Sequence, residues 1–396
     1  DVEKAHQLKE KLLGQETALL QEIKKETQID AQIWAARSIA KVFDKLNLPY
    51  ERTLKTSAPS FTKNFLSEHE HPLVKKIAKA REINKAHTTF IDTILRYEHK
   101  GRIHADINQI RSDQGGTVTG RFSYSNPNLQ QIPARNKDLG PMIRSLFIPE
   151  ENCTWGCFDY SQQEPRLVVH FASTTAGIKE DPSVKEIVDN YASNDIDFHK
   201  TVADMAGIDR IQAKTINLGL FYGMGKAKLQ AELGLSTKQE AEALFNQYHD
   251  RVPFVRNLMQ ETSRWASREG EIRTLLGRGC RFNKWEPAQF GMHTPMTWED
   301  AVKKYGENRI RRAFTYKALN KLIQGSAADM TKKSMLDLYK EGIIAHIQIH
   351  DELDLSVESP EQAKKVVEIM ENAVKLDVPN KVDYESGKNW GDIYDK

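Results

Sequence analysis

Two apolar segments, each halted by an aspartate and separated by 192 positions, constrain this chain more than any other feature. The first, Trp155-Gly-Cys-Phe-Asp159-Tyr-Ser-Gln-Gln-Glu164-Pro165-Arg166, reads as a strand that ends in a carboxylate, turns, and opens a helix. Pro165 stands near the first helical position, where a missing N–H costs nothing. The second, Ile347-Gln-Ile-His350-Asp351-Glu352-Leu353-Asp-Leu-Ser-Val357, alternates apolar residues on both sides of a polar tip. That is the pattern of a tight hairpin with His350, Asp351 and Glu352 at its turn. Either aspartate alone has a plainer reading, as a helix cap or a turn residue. The tip lacks Asn-Gly or Asp-Gly, the usual chemistry of such turns, which weakens that reading for Asp351. Taken together, the segments predict an α+β architecture in which helices are inserted between the strands of one sheet. Carboxylates meeting there suit hard divalent cations, and two such ions roughly 3.5–4 Å apart serve phosphoryl transfer.

With 396 residues and 39% hydrophobic content, the chain can build a large core and two or three subdomains. Lysine and arginine (57) nearly balance aspartate and glutamate (55), so any basic cleft must come from local placement. Three cysteines, Cys153, Cys157 and Cys280, are too few for a disulfide framework and lack zinc-knuckle spacing, which points to a reducing compartment. No stretch reaches the roughly 20 apolar residues of a membrane span, and the charged first residues do not read as a signal peptide. A soluble protein with no membrane partner is expected. Residues 2–27 read as one long amphipathic helix, 33–46 as a second, and 60–97 as further helices broken at Pro72. Their Lys75, Lys76, Lys79, Arg81 and Lys85 make either a solvated face or an arm for a phosphate backbone. Strand signals occupy 142–148, 154–158, 343–349 and 353–357, with mostly helix over 163–340.

Within that helical span Arg210, Lys214, Leu218 and Tyr222 recur at four-residue steps along one stripe. Two cations followed by an apolar and an aromatic residue match a nucleoside triphosphate laid lengthwise, phosphates at the basic end. A surface cation pair above a core stripe is the alternative. Further on, Gly325-Ser-Ala-Ala328 permits close approach of backbone or ligand, although tight helix packing explains it equally well. Gln324 beside it can donate and accept hydrogen bonds toward base edges.

In order and spacing these motifs resemble the DNA polymerase I family, family A, over essentially the whole chain. Asp159-Tyr-Ser-Gln-x-Glu-x-Arg resembles its motif A, Arg210-x3-Lys214-x7-Tyr222-Gly223 its motif B, and His350-Asp351-Glu352 its motif C. Thr119-Gly120-Arg121 with Asn126-Pro-Asn128-Leu-Gln130 resembles its duplex-contacting stretch. The resemblance implies a right-hand polymerase fold: a helical thumb over 1–115, a palm with an antiparallel sheet from 116–170 and 320–396, and helical fingers over 171–319. The fingers would carry the 210–223 helix and an insertion near 283–308. By the same implication Asp159 and Asp351, with the Tyr160 carbonyl, hold two Mg²⁺ ions, for which Mn²⁺ can substitute. Arg210 and Lys214, joined by His199 and Gln162, hold the triphosphate of a dNTP, and Glu164 crowds the sugar 2′ position near Tyr222. Arg121, Gln324 and His350 face the primer-terminal pair, Asn128, Gln130 and Arg135 follow the primer–template duplex, and Arg166, Gly223 and Glu352 complete the DNA-binding set.

The activity so implied is template-directed addition of deoxynucleotides to a primer 3′ end, by a monomer with no proofreading site ahead of the thumb. The expected setting is the cytoplasm of a bacterium or phage-infected host, or an organelle, with replication, repair and any processivity factor left open. Leu218 stands where the family usually has Phe or Tyr, which removes ring stacking on the incoming nucleotide, and Gln163 and Pro165 replace an apolar pair beside Glu164. These departures resemble a phage or organellar branch. Two other readings compete. A single-subunit RNA polymerase shares the palm plan, but Glu164 argues against it because such an enzyme must admit the 2′-hydroxyl. A catalytically silent DNA-binding module would not need Asp159, Asp351, Arg210 and Lys214 together.

Overall fold

The computed structural model describes the chain apart from residues 113–114, 135, 194–196, 222–223, 290, 292 and 395–396, and apart from the side chains of Met205, Leu218, Leu220, Phe221 and Tyr394. Two units are assembled from interleaved segments: residues 1–107, 124–155 and 386–396 form one, residues 108–123 and 156–385 the other.

The first unit opens with a helix at Val2–Thr27, where the Asp1 carboxylate accepts from the Lys4 N–H at 3.0 Å. Its stripe Ala5, Leu8, Leu12 and Ile23 is buried. Helices at Ala36–Lys45 and Pro72–Lys85 follow, the latter starting at the proline that the sequence marks as a break. Ile23, Ile39, Phe43, Leu66, Leu73 and Ile77 form this unit's core. Three of the basic residues here pair internally. Lys76 reaches Glu22 and Glu26 (2.9 and 3.2 Å), Lys79 reaches Glu82 (2.8 Å), and Arg81 donates to the carbonyls of Ile33 and Phe61 (2.6 and 2.8 Å).

One expected strand, 142–148, is a helix at Leu139–Arg144. Asn136 Oδ1 accepts from the N–H groups of Asp138 and Leu139 (3.0 and 2.8 Å), and Pro141 sits in the first turn, so local capping outweighs the apolar composition.

A four-stranded sheet, all but the outer ends of two strands within the second unit, runs, in spatial order, Ile347–Ile349, Glu352–Val357, Thr154–Tyr160, Val382–Gly387. The α+β class is as expected, but the sheet differs from the sequence reading at two points. Its first strand starts at Ile347 rather than at 343, and the strand Val382–Gly387 carries no sequence signal because four of its six residues are exposed. Phe158, Tyr160, Leu353, Leu355, Val357 and Val382 point into the core. Leu167 and Val168 from the helix Gln163–Thr174, Ile323 and Met330 from Ala318–Lys340, and Val366 and Met370 from Pro360–Asn372 complete it. Strand alternation therefore turns Cys157, Asp159, Glu352 and Asp354 to the opposite face. Around the expected insertion, Trp285–Pro287 pairs antiparallel with Ile310–Arg312, and the helix Trp298–Tyr305 lies between them in sequence. No helix among the described residues is long and apolar enough to cross a membrane.

Candidate active site

The hairpin register pairs Ile349 with Glu352 and leaves a two-residue loop, His350 and Asp351. Such a loop calls for left-handed backbone at its first position. His350 supplies it at φ 56° without a glycine. Gln348 Nε2 and the Thr331 hydroxyl both donate to the His350 carbonyl (2.6 and 3.5 Å), which holds the turn. The Tyr160 N–H then donates to the Asp351 carbonyl at 3.2 Å. The strand end bearing Asp159 and the tip bearing Asp351 thus lie side by side, although their positions in sequence are remote.

Both carboxyl groups are held well above the usual carboxylate range. For Asp159 the cause is burial, followed by the charges of Asp351, Glu352, Asp383 and Glu385. For Asp351 it is burial, with Arg121 opposing and Glu164 and Glu352 adding. Clustered carboxylate oxygens that resist ionising together are a donor set that fits a hard divalent cation. Beside them, ligand atoms of Cys157, Glu352 and Asp354 lie within 4.8 Å of one another. Burial and the charges of Glu352 and Asp354 push the Cys157 thiol far up.

Glu164, in the first turn of the helix after Asp159, accepts from Arg121 Nη2 at 2.6 Å. Arg121 and His350 also line a small open cleft with Phe122, Ala328, Thr331, Lys332 and Gln348. Half-buried Gln324 precedes the small-residue run. A Cβ on Gly325 would lie 2.6 Å from Thr274 Cγ2, so the run admits the hairpin of Glu271–Arg273 and Gly279–Arg281. From that hairpin Arg278 bonds Asp329 (3.0 Å) and the carbonyls of Thr119 and Gly325 (2.8 and 2.9 Å), a clamp the sequence reading missed.

On the basic side, Asp197 caps the helix Phe198–Ala206 by accepting from the His199 and Lys200 N–H groups (2.9 and 3.1 Å). It also takes Arg210 Nε and Nη2, both at 2.6 Å. Arg210 and Lys214 are exposed on the helix Arg210–Phe221, and His199 is buried near them. Burial above all, with Lys214 and Arg210 adding and Asp197 opposing, pushes His199 down to about 4. Gln162 adopts φ 56°, and its Oε1 accepts from the Phe198 N–H at 2.7 Å, tying the turn after Asp159 to the His199 helix.

The remaining expected site residues are spread over both units. Arg166, assigned to DNA from the sequence, is buried: Nε donates to the Ser161 carbonyl (2.8 Å), Nη1 to the Pro379 carbonyl (2.5 Å), and the guanidinium lies 4.7 Å from the Tyr191 ring. These bonds brace the turn after Asp159. Asn128 and Gln130 belong to the first unit, where Asn128 Oδ1 accepts from the Gln130 N–H at 3.1 Å. Arg135, Tyr222, Gly223 and the Leu218 side chain lie outside the described residues.

The family model described as DNA polymerase family A matches residues 2–392. The chain is 33% identical over 403 residues to a DNA-directed DNA polymerase of Pseudomonas phage M6, covering 91% of this chain and 57% of that protein. To the thermostable DNA polymerase I of Thermus aquaticus it is 34% identical over 364 residues, 88% of this chain and 40% of the other. Among solved structures, the POL domain of Pol1 from M. smegmatis, in complex with DNA primer-template and dNTP, matches with a TM-score of 0.75 and 26% identity, covering 99% of this chain and 67% of that one. The chain spans about half the length of the curated relatives it matches.

Proposed function

The chain belongs to DNA polymerase family A, and from that premise we propose that it extends a primer 3′ end along a DNA template, using dNTPs and divalent metal. The observation that carries the reading is the adjacency of Asp159 and Asp351, each in the acidic field of the other's surroundings. Asp159, Asp351 and the Tyr160 carbonyl would hold Mg²⁺, with Mn²⁺ as a substitute. Bound there, the ions supply charge that activates the attacking oxygen and stabilises the leaving one.

The remaining roles belong to the chain's own groups. Lys214 and His199 bind the triphosphate, and Arg210 joins them by exchanging Asp197 for phosphate. Glu164, fixed by Arg121, fills the space a 2′-hydroxyl would need. His350, Gln324 and Arg121 meet the primer-terminal pair, with Glu352, Asn128, Gln130, Arg135 and Gly223 as further DNA contacts and Leu218 and Tyr222 beside the nucleotide. The thumb, palm and fingers boundaries given above, a monomeric state and a cytoplasmic setting are parts of the same reading.

Primer extension with dNTPs, with and without chelator, tests it. Extension in Mg²⁺ that stops on chelation, and that Asp351→Asn abolishes while duplex binding persists, is expected. Chelator-insensitive synthesis, or substantial synthesis by Asp351→Asn, overturns it.

A further inference from the structure

His199 has a second neighbourhood, on the side away from solvent. Asn217, fully buried on the helix Arg210–Phe221, donates through Nδ2 to His199 Nδ1 at 3.1 Å. Tyr248, fully buried on the helix Lys238–Arg251, donates its hydroxyl to Asn217 Oδ1. Burial keeps that phenol well above its ordinary range, so it remains a donor. A buried hydroxyl with a single acceptor among the described residues orients the amide: its carbonyl faces the phenol and its NH₂ faces the imidazole. An NH₂ cannot accept a hydrogen bond. Nδ1 must therefore carry the lone pair, and a neutral imidazole then carries its proton on Nε2.

Resting on the polymerase reading above, we propose that Tyr248 and Asn217 are positioning residues that lock His199 in the Nε2–H tautomer, as a neutral donor to the nucleotide triphosphate beside Lys214 and Arg210. The opposite tautomer would turn a lone pair toward phosphate oxygens. Three helices each contribute one member, so the donor is set before any nucleotide arrives. No covalent step is involved.

The test uses the full chain. In ¹⁵N-histidine-labelled protein at neutral pH, with the His199 ring assigned by its loss in His199→Ala, wild type is expected to show protonated Nε2 and bare Nδ1. Asn217→Asp, whose carboxylate accepts from Nδ1, is expected to show the reverse. In primer extension Tyr248→Phe should raise KM for dNTP about three- to tenfold, the size of one neutral hydrogen bond, with a smaller effect on kcat. On a His199→Ala background the same substitution should have no further effect on KM. A protonated Nδ1 in wild type overturns the proposal. So does an equal rise in KM with and without His199, which would make Tyr248 a packing residue. Should Asn217→Asp fail to fold, the wild-type ring and the Tyr248→Phe cycle decide the matter. The ring measurement needs no turnover, so a wild type with the Nε2–H tautomer but no extension counts against the polymerase reading alone.

Discussion

At the scale of single residues, Glu164 and His249 yield the clearest consequences. Glu164 is held at 2.6 Å by Arg121, so its carboxylate occupies a fixed position rather than sweeping the site. Glu164→Ala is expected to raise ribonucleotide incorporation relative to deoxynucleotide by at least about tenfold, measured by competitive primer extension. Unchanged selectivity would remove it from that role. His249 is 1% exposed, neither of its ring nitrogens has a hydrogen-bond partner among the described residues, and burial pushes it down to about 4. The unfolded chain binds that proton near the ordinary value of about 6.5, so the unfolded state is the better proton acceptor between the two values. Stability from this residue is complete above about 6.5 and is lost as pH falls toward 4. Urea midpoints at pH 7 and pH 5 should differ less in His249→Phe than in the parent; an identical difference would contradict this.

The same scale shows what was legible. Asp159 and Asp351 could be read because each interrupts an alternating apolar segment, a pattern that survives without knowledge of partners. Asn217, Arg278 and the grip of Asp197 on Arg210 could not, because these partners come from segments remote in sequence and nothing in the neighbours' periodicity marks them. The internal bonds of Arg166 were hidden for the same reason, since a motif position does not reveal that Ser161 and Pro379 carbonyls will take the guanidinium.

Among elements, the helix Ala318–Lys340 depends on its small residues to admit the hairpin at Arg278. Gly325→Val would drive side-chain atoms into Thr274 Cγ2, which a Cβ alone would approach to 2.6 Å. A loss of about 1–3 kcal/mol in stability, read from denaturant unfolding, is expected. An unchanged midpoint would show that the hairpin yields freely. Helices with long stripes or a proline start, Val2–Thr27 and Pro72–Lys85, were plain in the sequence. Short elements were not. Six residues at Leu139–Arg144 cannot display a period, and the strand Val382–Gly387 lies at the sheet edge with little to bury.

On the scale of the whole molecule, the two units are woven from alternating stretches of chain, and no composition shift at 107, 124, 155 or 386 announces the exchanges. Among the described residues the strand Thr154–Tyr160 is flanked by Glu352–Val357 and Val382–Gly387, both far downstream of it in the chain. A ribosome moving at about 5–20 residues per second therefore needs roughly 10–40 s to deliver the first of them. Throughout that interval the nascent strand carries an unsatisfied ladder on each flank, and its aspartate has nothing to face. Maturation of this centre is bound to wait until those two downstream strands have been translated.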